Sequence, residues 1–153
     1  IEKGVNRIDK PMTDISAAIG LAQLERLELN TNRRINNAKQ LTRGLNEIRG
    51  IIVPKSENNV KHVYHQYTIR VTSEFGKTRD GLLRFLRKRG IGCAVFYPKP
   101  LHLHPHFKMQ GFKKGDFPVA EKAAKEILSL PVHPGLSESD INNIISVVKE
   151  ASD

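Results

Sequence analysis

The stretch Thr78-Arg79-Asp80-Gly81-Leu82-Leu83-Arg84-Phe85-Leu86-Arg87-Lys88-Arg89-Gly90-Ile91-Gly92-Cys93-Ala94-Val95-Phe96-Tyr97-Pro98 changes its period half way along. Leu82, Leu83, Phe85 and Leu86 make the apolar side of a helix opened at Thr78-Arg79-Asp80. Gly90 closes it, with Arg87, Lys88 and Arg89 at the negative end of its dipole. From Gly92 to Tyr97 the pattern becomes that of an apolar strand, stopped by Pro98.

The same alternation continues on both sides. Upstream, Ile51-Ile52-Val53-Pro54 is a short extended piece, and His62 to Val71 is a strand by its Val, Tyr, Thr and Ile content. Downstream, Lys99 to Gly115 is irregular, with Pro100, Pro105, Gly111 and Gly115 set among three histidines. Asp116 and Pro118 start a helix through Glu126 with Val119, Ala120, Ala123 and Ile127 inward, and Leu128 to Pro131 is a third strand. Ser137 with Asp140 resembles a capping box, and the stripe Ile141, Ile144, Ile145 and Val148 comes after it. Short strands separated by helices predict an α+β domain, a small sheet with helices on one face.

Residues 1–50 have a different character. Thr13 is a candidate N-cap, and Ile15, Ala17, Ala18, Ile19, Leu21, Ala22 and Leu24 are apolar nearly all round. Leu27, Ala38, Leu41, Leu45 and Ile48 carry the pattern on, which predicts one long linking helix ending near Gly50. A bend or break is expected near Asn30 to Arg34, where polar Thr31 and Arg34 occupy the apolar seam. Residues 51–153 are then the small domain.

At 153 residues and 39% hydrophobic content the chain suits one core and a projecting arm. Charged residues make up 27% and no apolar run spans a membrane, so a soluble protein is expected. A single cysteine, Cys93, excludes an internal disulfide and points to the cytoplasm. The chain opens without Met or a signal-peptide pattern and is expected to be part of a longer protein. The formal charge of +9 raises nucleic acid as a partner. Few aromatics and Lys and Arg scattered over solvated faces argue against it.

His102, His104 and His106 alternate, and His62 and His65 lie three apart, spacings that raise a metal site. Pro105 breaks the alternation and no acidic residue sits in the cluster, so none is assigned. Cys93 fits a small buried residue better than a nucleophile. Glu121 and Glu126, near Lys122 and Lys125, suggest surface pairing. No glycine-rich phosphate loop is present.

Three stretches together resemble one family. Met12-Thr13-Asp14-Ile15-Ser16-Ala17-Ala18-Ile19-Gly20-Leu21-Ala22-Gln23-Leu24 is similar to the helix after the cofactor-phosphate loop of DegT/DnrJ/EryC1/StrS sugar aminotransferases. Phe96-Tyr97-Pro98-Lys99-Pro100-Leu101-His102, with Gly111-Phe112 and Gly115-Asp116-Phe117-Pro118-Val119-Ala120-Glu121, resembles their histidine-tyrosine-proline motif and the loop and helix after it. Leu128-Ser129-Leu130-Pro131 resembles their closing segment. The resemblance implies the C-terminal small domain of the aspartate-aminotransferase-like fold, fold type I of the pyridoxal phosphate (PLP) transferases. Residues 1–50 would be a phosphate-loop remnant and the linking helix.

It further implies a homodimer that moves an amino group, usually from glutamate, to a nucleotide-linked keto sugar. The family's Schiff-base lysine and its carboxylate partner lie upstream of Ile1, so no catalytic residue is assigned and this chain alone is expected to be inactive. Asn6 and Arg7 match, with altered spacing, the family's contact to the cofactor phosphate of the neighbouring subunit. Tyr97 and His102 match its substrate-side positions, and Phe96 stands where the motif has histidine. A regulatory or nucleic-acid-binding module on the same fold is the alternative.

Overall fold

The computed structural model describes residues 12–152. Asn6 and Arg7 lie outside the described residues. Helix α1 (Asp14–Glu25) begins at Thr13, whose side chain accepts from the Ser16 amide, and α2 (Leu27–Leu45) starts after a break at Arg26. At Arg26 φ is −101° and ψ −1°, and its amide turns back to the Gln23 and Leu24 carbonyls. The break therefore falls earlier than the bend or break expected near Asn30 to Arg34, a stretch that α2 crosses without interruption. Thr31 and Arg34 are partly exposed on a helix with one buried stripe, so no seam is interrupted there. The helix also ends sooner, and turns carry the chain from Asn46 to Gly50.

Strands β1 (Ile51–Ile52), β2 (Tyr67–Val71) and β3 (Ile127–Leu130) form an antiparallel sheet in that order. The register sets Ile51 opposite Val71 and Tyr67 opposite Leu130. Tyr67, Ile69 and Val71 point into the core while Thr68 and Arg70 face the other way, as strand alternation requires. The strand expected from Gly92 to Tyr97 is reduced to one bridge, Ala94 to Ser129, on the free edge of β3. Apolar composition alone could not distinguish a paired strand from an extended edge segment.

Helices α3 (Arg79–Lys88), α4 (Pro105–Lys108), α5 (Pro118–Glu126) and α6 (Glu138–Glu150) complete the domain. One core gathers Leu41 and Leu45 of α2, Ile69 of β2, Leu82 and Leu86 of α3, Leu128 of β3, and Ile141 and Val148 of α6. The Tyr67 hydroxyl is satisfied at 2.9 Å from that of Thr42. Buried Arg79 donates to the Ala124 and Ile127 carbonyls, each at 3.2 Å, closing the end of α5. On α5 the buried side is Ala124 rather than Val119 and Ala120, which are exposed.

A candidate active-site loop between α3 and α5

After the Ala94 bridge the chain leaves the sheet edge at Phe96 and Tyr97, joined by a cis peptide bond. It then runs through a short 3-10 turn (Leu101–Leu103) and α4 before reaching α5. Tyr97 is 71% exposed and Phe96 is half-exposed, their rings edge to face at 5.9 Å. Phe96, Tyr97, Leu101 and Met109 are all exposed, so polar contacts share in keeping this segment in place.

His102 and Glu121 do that. Only 8% of His102 is exposed, and its Nε2 lies 3.1 Å from Glu121 Oε1, the same oxygen that accepts the Gly115 amide at 2.7 Å. The Gly115 amide is the main influence holding the Glu121 carboxyl below the usual range, with His102 adding to it against the opposing effect of burial. The His102 ring meets Phe117 edge to face at 4.9 Å, and Phe117 approaches Phe112 at 6.0 Å. One carboxylate oxygen on the first turn of α5 thus fixes the turn before α4 and the turn after it.

The surface pairing with nearby lysines that the sequence suggests for Glu121 and Glu126 does not form. Glu121 turns to His102 and Gly115, and Glu126 pairs with Arg70 of β2, at 2.6 Å, because α5 ends against the outer face of the sheet. Neither contact could be found from spacing alone, since the partners lie 19 and 56 residues away. The order Gly115-Asp116-Phe117-Pro118-Val119-Ala120-Glu121 held the only signal.

The histidines do not converge. His106 lies 3.3 Å from the Gln110 amide, and His62 Nδ1 accepts the Tyr64 amide at 3.0 Å. Among the described residues no three histidine, cysteine or acidic side chains are grouped to hold a metal. Buried Cys93 has its thiol pushed up by burial, with Sγ 3.8 Å from the Leu83 carbonyl. Every described lysine is exposed, whereas a Schiff-base lysine requires a neighbouring charge or an apolar wall to lower its pKa. The described residues therefore do not by themselves make a cradle for PLP.

A linking helix, a small antiparallel sheet backed by α2, α3 and α6, and a polar-anchored loop define the small-domain portion of a fold-type I aminotransferase. The solved structure of S. venezuelae DesV in complex with a ketimine intermediate matches with a TM-score of 0.84 at 28% identity, over 99% of this chain and 41% of that one. The profile of the DegT/DnrJ/EryC1/StrS aminotransferase family matches residues 7–149, and the chain belongs to that family.

A pleiotropic regulatory protein of Geobacillus stearothermophilus is 40% identical over 141 residues, 91% of this chain and 37% of its own length. The dTDP-3-amino-3,4,6-trideoxy-alpha-D-glucose transaminase of Streptomyces venezuelae is 32% identical over 149 residues, 97% of this chain and 37% of its own length. The chain thus spans a little over a third of these curated relatives.

Proposed function

We propose that this chain is the small-domain portion of a PLP-dependent enzyme that aminates a nucleotide-linked keto sugar, with glutamate as the usual donor. The family match over residues 7–149 carries the reading, and the amination of a nucleotide sugar by the Streptomyces relative supports it. In this reading the protein works as a cytoplasmic homodimer. Among the described residues no helix is long and apolar enough to cross a membrane.

Asn6 and Arg7 would supply an amide and a guanidinium to the cofactor phosphate of the neighbouring subunit, donors suited to a dianion. In this reading Tyr97 is a substrate-side contact, and its exposure at the start of the anchored loop is compatible with that role. His102 serves the same side from within, through its contact with Glu121. Phe96 offers an apolar edge where the motif has histidine, which favours substrates without a polar group at that point.

A regulatory reading has its own support in the pleiotropic regulatory protein, the relative with 40% identity. The two separate on cofactor uptake by this chain and by the protein extended upstream. The expected result is PLP absorbance that responds to glutamate in the extended protein only. If neither form takes up PLP, the regulatory reading replaces the first.

A further inference from the structure

A second concavity shares no lining residue with the loop between Phe96 and Phe117. It is a cleft of about 790 Å³ between the C-terminal half of α2 and the segment after β1. That volume is within the range of sites for small organic ligands. Lys39 and Arg43 stand four residues apart on α2, so they project from one helix face, and Lys55 stands across from them. Buried Val53 and half-buried Tyr64 give the cleft an apolar floor.

Two observations set this cleft apart from an ordinary solvated face. The first is charge. Lys39, Arg43 and Lys55 share with most of the described lysines and arginines the lack of a carboxylate partner, and differ in that all three line one cleft. Glu47 lines the same space without pairing to any of them and leaves the cleft positive. The second is backbone conformation. Tyr64 is the one non-glycine at positive φ among the described residues, at 48°. Aromatic residues adopt this region at a cost, and such costs concentrate where a side chain must be aimed. The Tyr64 amide donates to His62 Nδ1 at 3.0 Å and the two rings lie 4.2 Å apart, contacts that favour this orientation of Tyr64.

We infer that this cleft binds a phosphate ester carrying a planar ring, with the phosphate at Lys39, Arg43 and Lys55 and the ring against Val53 and Tyr64. Lysine and arginine together suit a phosphate dianion, and the tyrosine face suits an aromatic body. The Glu47 carboxylate sets polarity by repelling the phosphate from its own side. Nothing here depends on the amino-transfer reading, so each can fail alone.

The test is a titration of this chain, carrying Ile15→Lys and Leu24→Lys on α1 to keep it monomeric and leave the cleft intact, at low salt with phenyl phosphate and, separately, inorganic phosphate, monitored by amide chemical shifts. Phenyl phosphate is expected to move the amides of 39–47 and 53–64 and to bind about tenfold more tightly than inorganic phosphate. Arg43→Ala or Lys55→Ala, both at exposed positions, weakens both ligands by about tenfold. Tyr64→Gly suits the positive φ, and is expected to abolish the preference for the ring while leaving inorganic phosphate unchanged. Circular dichroism checks that each variant is folded. The inference is overturned if no cleft amide moves at millimolar ligand, if the charge variants leave binding unaltered, or if the chain with its cleft unsubstituted binds the two ligands equally.

Discussion

Gly44 and Gly50 show how a single residue escapes a local reading. Gly44 looks only like a weak helix former, yet a Cβ there would lie 2.5 Å from Ile145 Cδ1, so it lets α2 and α6 approach. That partner is distant in sequence, and no periodicity announces it. Gly50 has φ +80°, and a Cβ would fall 2.2 Å from the Phe75 amide nitrogen. Backbone cannot move aside as a side-chain end can. Gly50→Ala is expected to lose more than about 2 kcal/mol in urea unfolding, and Gly76→Ala, strained at φ +80° but in open space, only about 1 kcal/mol. Equal losses would show that the close approach adds nothing. Tyr67 allows a pH test. Burial raises its phenol from an ordinary 10.0 to about 12, with Thr42 acting weakly in the other direction. The neutral form is the one the fold accepts, so this stability is fully present below pH 10 and is lost as pH rises through 12. Two units correspond to roughly 3 kcal/mol. Tyr67→Phe should flatten the alkaline limb relative to the unsubstituted chain.

At the scale of elements, the α6 cap was visible in the sequence because its chemistry is contained in four residues. The Ser137 side chain accepts the Asp140 amide at 3.1 Å and Asp140 accepts the Ser137 amide at 2.8 Å. Ser137, first by its side chain and then by its amide, holds the Asp140 carboxyl below its ordinary 3.8. The cap is therefore at full strength above that value and weakens as pH falls through the depressed one. Ser137→Ala should cost about 1 kcal/mol at neutral pH and less in acid. The loop anchor was not visible, since His102, Gly115 and Glu121 come together only when α5 folds back along the sheet. Glu121→Ala should free the turns on both sides of α4. Tryptic cleavage at Lys108, Lys113 or Lys114 would then quicken, together with exchange of the Gly115 amide, while the core amides of β2 stay protected. The depressed Glu121 carboxyl makes the same release appear in the unsubstituted chain as pH falls below the ordinary 4.5. Unchanged cleavage and exchange in the variant would remove the anchor role. The failed strand at 92–97 and the misplaced helix break share a cause: composition gives an element's type, but tertiary pairing and backbone angles set its limits.

At the scale of the whole molecule, the apolar start of the linking helix is the feature the sequence made plainest. No residue of α1 is buried, and Ile15, Ile19, Leu21 and Leu24 are all at least 60% exposed, with Ile15 at 76%. Leu27 and Leu29 extend the surface into α2. Single exposed apolar residues are ordinary, but large apolar side chains exposed on successive turns of one helix are what association surfaces are made of. The chain spans 37% of the two curated relatives, whose remaining length is ample to cover such a helix. This chain alone should therefore associate through α1. Sedimentation velocity over a hundredfold concentration range is expected to show growing species, and Ile15→Lys with Leu24→Lys to return a monomer. The added charge alone would oppose association, so Asn58→Lys with Asn142→Lys, which adds the same charge at exposed positions away from α1, serves as the control and should not disperse it. A chain that stays monomeric throughout would show that α1 needs no cover, and the argument for a larger partner surface would fall with it.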